Sequence, residues 1–266
     1  GDGGVGLWFA GGTLTNDGII TGGDGGARGA GVTTLNTVGG LGGVGIEAGP
    51  NSTIITRGSI SGGRSGDGEL GSAIVFTGGT NRLELQGDYS ITGNVLANGS
   101  ADTFALGGAV DGNFDISTLG TAEQFRGFDS FEKTGSSTWT LTGNSSFSGA
   151  MSINEGTLSV SSASNFGGTS GGLQFAGGTL ATTASFDSNR MVGLASSGRL
   201  DVASGTTLGL TGTVEGAGDL IKLGAGTLEL HGHNAYGDTR VEDGTLVGDA
   251  SSISGMIGNA GTVVFD

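Results

Sequence analysis

Lys222-Leu223-Gly224-Ala225-Gly226-Thr227-Leu228-Glu229-Leu230-His231-Gly232-His233 decides the reading of this chain, because Lys133-Thr134-Gly135-Ser136-Ser137-Thr138-Trp139-Thr140-Leu141-Thr142-Gly143-Asn144 anticipates it. After a one-residue gap the likeness resumes, Ile153-Asn154-Glu155-Gly156-Thr157-Leu158 against Val241-Glu242-Asp243-Gly244-Thr245-Leu246, with Phe147 and Tyr236 paired between. Inside each copy the period is two: Trp139 and Leu141, or Leu228 and Leu230, alternate with polar residues as in a half-buried strand. A second repeat aligns Thr13-Leu14-Thr15-Asn16-Asp17-Gly18-Ile19-Ile20 with Thr53-Ile54-Ile55-Thr56-Arg57-Gly58-Ser59-Ile60, and both close on Gly-Gly. A third echo sets Phe9 to Leu14 beside Phe175 to Leu180.

Short strands at a spacing of about 20 residues, parted by Gly, Asn, Asp or Ser, predict an all-β right-handed parallel β-helix, a solenoid. At about 22 residues and about 4.8 Å per coil, the chain makes about 12 coils and about 55–60 Å. A β-sandwich is the alternative, but its hairpins do not favour so long a repeat. Only Thr121 to Arg126 lacks helix breakers, and it is too short to stand alone as a helix. The glycine-dense insertions Gly22 to Gly31 and Gly62 to Gly71 follow the same motif in both N-terminal copies. They read as loops at equivalent corners, serving as spacers.

Composition bounds the function. The 266 residues hold 61 glycines, one proline and no cysteine, which excludes disulfides, thiolate zinc sites and a cysteine nucleophile. A formal charge of -15 argues against nucleic acid or an anionic membrane as partner. Recurrent apolar runs such as Ala73 to Phe76, with a mean hydropathy of +0.07, argue against disorder. The opening Gly1-Asp2-Gly3-Gly4 lacks a starting Met and a targeting segment, so the chain reads as an uncapped piece of something longer. Open solenoid ends, such as Thr262 to Phe265, predict end-to-end association or fraying.

The two long copies resemble the autotransporter-associated β-helix repeat, in which Lys-x-Gly-x-Gly-Thr-Leu-x-Leu-x-Gly-x-Asn leads through an aromatic to Gly-Thr-Leu. The first copy departs from it at Ser137 and Trp139. The resemblance implies one β-helical passenger segment over 1–266, with glycine-rich looped coils over 1–100 and the repeats at 131–160 and 220–247. It also implies type V secretion through the outer membrane to the bacterial cell surface, by way of a membrane-anchoring β-barrel outside this chain. Passengers similar to it serve as adhesins and virulence factors. A structural stalk and adhesin for host cell-surface or matrix molecules, or for self-association, is therefore expected; the alternative is a β-helical polysaccharide-active hydrolase or lyase.

Candidate chemistry is sparse. Gly168-Thr169-Ser170-Gly171-Gly172 satisfies G-x-S-x-G, and Asp187 or Asp201 with His231 or His233 keeps a hydrolase triad's order. That motif needs a following helix, and none is predicted. Gly66 to Gly71 satisfies G-x-G-x-x-G but leads into a strand. Asp111, Asn113 and Asp115 begin like a calcium loop, yet Ile116 and Ala122 stand where Gly and Glu belong; Glu123 would have to complete an adventitious site. His231 and His233 face one side but replace Thr142 and Asn144 of the other copy. Trp139 matches Leu228 and reads as core rather than a sugar platform. Glycoside chemistry needs two carboxylates about 5–9.5 Å apart, whereas Glu84, Asp88, Asp111, Asp115, Asp201, Glu215, Asp219, Glu229, Glu242 and Asp243 are dispersed. The expectation is a non-enzyme with no catalytic residue, no cofactor and no metal.

Overall fold

The computed structural model describes residues 1–29, 38–168 and 171–266. Ser170 of the G-x-S-x-G match, and Ala30 and Gly31 of the first glycine insertion, lie outside them. The chain divides into two compact units, Gly1–Phe104 with Thr118–Asp129, and Ala105–Ser117 with Ser130–Asp266.

In the first unit three parallel sheets are built coil on coil. Leu7–Phe9, Ile46–Ala48, Ile74–Phe76, Val95–Ala97 and Phe125–Arg126 form one; Gly12–Asn16, Ser52–Thr56 and Arg82–Gln86 a second; Ile19–Thr21, Ser59–Ser61 and Ser90–Thr92 a third. The sequence repeat is the register itself: Thr13 lies beside Thr53, Leu14 beside Ile54 and Ile20 beside Ile60. Ile46, Ile74 and Val95 stack in an inward column, each fully buried, and each such burial contributes about 1.5–3 kcal/mol. Phe104 meets Phe125 and Phe128 edge-on, at 5.1 and 5.5 Å between centroids. A ladder of polar side chains fastens one corner. Asn81 Oδ1 accepts from the Ser52 amide, buried Asp102 accepts from the Asn81 amide and side chain, and Asp129 accepts from the Asp102 amide.

Coils here are not uniform. Leu7, Ile46, Ile74 and Val95 follow one another at steps of 39, 28 and 21 residues, because glycine segments are inserted between strands. The reading of those insertions as spacer loops does not stand. Amides of their described residues bond to other glycine stretches, as in Gly23 N–H to Gly4 O at 2.7 Å and Gly63 N–H to Gly43 O at 2.8 Å, so these are hydrogen-bonded arms. Gly66 to Gly71 belongs to a turn closed by an antiparallel bridge between Arg64 and Leu70.

The second unit also has three parallel sheets. One holds Ser130–Lys133, Ala150–Ile153, Leu173–Phe175, Val192–Leu194 and Val214–Gly216. The next runs from Gly112–Asp115 and Thr138–Thr142 through Thr157–Val160, Thr179–Thr182, Gly198–Val202, Leu220–Leu223 and Thr239–Val241 to Ile257–Asn259. Phe186–Ser188, Thr207–Leu210, Thr227–Leu230, Thr245–Gly248 and Thr262–Phe265 make the third. Trp139, Leu158, Leu180 and Leu200 form one buried column at steps of 19, 22 and 20 residues, close to the predicted coil. Parallel pairing within every sheet removes the β-sandwich alternative. Among the described residues helix is confined to 3₁₀ turns at Ile116–Thr118 and Ala163–Phe166, and Phe125–Arg126 of the breaker-free stretch is strand.

Candidate functional site

Each long repeat builds a corner that spans two coils and is closed by its lysine. Lys133 and Lys222 are fully buried with apolar neighbours in their columns: Lys133 lies beside Ile153, and Lys222 between Leu200 and Val241. The four methylenes pack with the core while the ammonium reaches the turn. Lys133 Nζ donates to the carbonyls of Thr134 at 2.6 Å, Gly135 at 2.9 Å and Glu155 at 3.3 Å. Lys222 Nζ does the same to Leu223 at 2.7 Å, Gly224 at 2.6 Å and Asp243 at 3.3 Å. An ammonium has three N–H donors, and each here has a carbonyl. Two of those carbonyls belong to the lysine's own turn and the third to the turn of the next coil, so the side chain is a staple between coils.

The remaining repeat residues serve that staple. Gly156 adopts φ +60 and Gly244 φ +69, and a Cβ would land on the carbonyl oxygens of Gly135 and Ser137 in the first copy and of Gly224 and Gly226 in the second, which is why the motif holds glycine before Thr-Leu. The exposed acid before it caps the corner from outside: Glu155 Oε2 accepts from the Gly135 amide at 3.1 Å. Burial pushes the Lys222 amine below its usual range, partly offset by Asp243 and Asp201.

The two copies use different faces of the coil. Lys133 ends a strand of the first sheet and Trp139 lies in the second, whereas Lys222 lies in the second and Leu228 in the third. The repeat therefore specifies a corner rather than a face. Sequence alignment alone hides this, because successive corners are locally alike.

A third internal cation was not marked by any repeat. Arg190, nearly buried, donates to the carbonyls of Phe166 at 3.0 Å and Gly167 at 2.8 Å, and also to those of Gly168 and Gly171. Its guanidinium lies 5.7 Å from the Phe166 ring centroid. The one signal in sequence was a lone arginine between strand-like runs.

The sequence-flagged residues lie apart from these corners or within their framework. His231 and His233 are exposed, with His231 Nε2 3.7 Å from Glu229 Oε2. Asp111 Oδ1 accepts from the Thr138 amide at 2.7 Å, and Asp115 Oδ1 from Ser117, so the calcium-like run serves turns. Asp219 accepts from the Asp238 amide, and Glu242 pairs with Arg240. Among the described residues no three His, Asp or Glu converge to hold a metal ion. Trp139 is fully buried, and its Nε1 donates to Gly107 O at 3.0 Å, so it is core. An open groove of about 470 Å³ lies between Gln174 and Glu215 over Gly193 and Gly216.

Stacked parallel coils with stapled corners define a β-helical repeat protein. Residues 131–160 and 220–247 match the passenger-associated-transport-repeat family, which supports an autotransporter passenger segment. It is similar to the adhesin BmaC autotransporter of Brucella suis biovar 1 (strain 1330), with 36% identity over 182 residues, 67% of this chain. The chain spans 5% of that relative's length. No solved structure matches the chain.

Proposed function

We propose that residues 1–266 are a length of surface-displayed passenger that serves as stalk and adhesive surface, without catalysis. The similarity to an autotransporter adhesin carries this reading. The corners support it, because Glu155, Asp219, Lys133 and Lys222 are spent on joining coils. The parent chain reaches the cell surface through the outer membrane and is anchored by a β-barrel beyond these residues. Its partners are host cell-surface or matrix molecules, or further copies of itself.

Beads coated with the 266-residue chain test the proposal. Saturable attachment to cultured cells or to a matrix film, competed by the soluble chain, is expected. Sugar release from acidic or neutral polysaccharides by the soluble chain, with no attachment, would replace adhesion with the hydrolase or lyase reading.

A further inference from the structure

The glycine arms of the first unit follow a rule of their own. Four stretches, Gly1 to Gly6, Gly22 to Ala27, Gly39 to Val44 and Gly62 to Asp67, carry two small residues followed or preceded by one other residue, in threes. Their hydrogen bonds keep the same period. Gly26 and Gly23 donate to Gly1 and Gly4, Gly40 and Gly43 to Gly26 and Gly23, and Gly66 and Gly63 to Gly40 and Gly43, all at 2.7–2.9 Å. These three pairings run antiparallel. Two more run parallel: Gly3 and Gly6 donate to Leu41 and Val44, and Gly22 and Gly25 to Ser61 and Arg64, again at 2.7–2.9 Å.

A period of three with every bond leaving the segment is the mark of the polyproline-II helix, which has three residues per turn and no internal hydrogen bonds. A β-strand would alternate in twos. None of the bonded glycines lies in the left-handed region, as that helix requires. Close approach explains the glycines. A Cβ on Gly3 or Gly63 would land on the Gly23 carbonyl oxygen, one on Gly43 on that of Gly4, and one on Gly40 on that of Gly1. Collagen excludes side chains at every third position for the same reason.

We infer that these four arms form a polyglycine-II bundle, a module held by backbone hydrogen bonds without an apolar core, whose every third residue is a display position. Of those eight positions, Val44 is half-buried and the rest are exposed, among them Asp2, Val5, Asp24, Leu41, Arg64 and Asp67. The bundle is two-sided. The parallel arms Gly1 to Gly6 and Gly39 to Val44 show Val5, 43% exposed, and Leu41, 65% exposed. The other parallel pair shows Asp24, whose Oδ1 accepts the Arg64 amide at 2.7 Å, and Asp67, which pairs with Arg28. The charged display side chains also brace the arms, Asp2 Oδ1 accepting the Leu41 amide at 2.8 Å and Asp67 Oδ2 the Gly39 amide at 3.1 Å, whereas the apolar Val5 and Leu41 side chains change without touching the bonds.

Hydrogen exchange of the intact chain tests this residue by residue. The amides of Gly23, Gly26, Gly40, Gly43, Gly63 and Gly66 are expected to exchange at least about 100-fold more slowly than open chain. Gly43→Ala is expected to cut that protection at least tenfold across all four arms. Leu41→Ser and Val5→Ser are expected to leave it within about twofold. Open-chain exchange at these amides in the unmodified protein would overturn the inference, as would equal effects of Gly43→Ala and Leu41→Ser. A Gly43→Ala chain that loses protection in the second unit as well is a general folding failure. Gly63→Ala then serves instead, and the same two outcomes decide.

Discussion

A buried lysine with three carbonyl partners is a costly residue to remove and an unusual one to titrate. Lys222→Ala leaves the carbonyls of Leu223, Gly224 and Asp243 without their donor and opens a gap in the Leu200 column. A loss of about 3–5 kcal/mol is expected in urea unfolding, as for one partner taken from a buried pair. The pH response has the opposite flavour. Because burial holds the folded pKa of Lys222 below 10.5, the unfolded chain binds the extra proton between those values. Stability attributable to this group therefore rises as pH climbs from the lowered value toward 10.5. The difference in urea midpoint between the native chain and Lys222→Met should widen in favour of the native chain over that range; a constant difference would refute the assignment. At the neighbouring position, Gly156→Ala forces a left-handed alanine against Lys133 Nζ. The expected cost is above about 1 kcal/mol, read from the same unfolding curve.

Among elements, the strand Thr138–Thr142 shows how a repeat can be improved only in appearance. Trp139→Leu restores the residue found at Leu228, yet Trp139 fills its column and bonds Gly107 O, and its ring lies where a Cβ on Gly112 would come within 2.7 Å. Loss of that volume and bond is expected to cost about 3 kcal/mol in thermal or urea unfolding; an unchanged midpoint would show that the column closes up. Strands of this kind were legible in sequence because alternation is local and the stacked copies carry it twice. Thr13 over Thr53 was an alignment before it was a register. The arms were not legible as arms: glycine content suggested slack chain, and only a period of three, hidden under the abundance of glycine, gave the bonded state away. Lysine staples were visible as a shared Lys133 and Lys222 but not as staples, since their third acceptor comes from the next coil. Arg190 had no repeat to mark it, and its carbonyl partners lie on turns about 20 residues upstream.

For the whole molecule, what matters is where the charges ended up. Ten cations and 25 acids give -15 by formula, but Lys133, Arg190 and Lys222 are buried and so is Asp102. The outside thus carries seven cations against 24 acids, a balance of -17. At low salt, copies of the chain are expected to repel, giving a positive osmotic second virial coefficient by light scattering. That coefficient should fall steeply as the screening length shrinks to about 8 Å near physiological ionic strength. A coefficient indifferent to salt would mean that the exposed acids are already neutralised. By drawing three of its ten positive groups inward as fasteners, the polypeptide leaves a skin in which acids outnumber cations more than threefold. Crowding of neighbours then becomes a property of the medium, with wide spacing in fresh water and close ranks in brine.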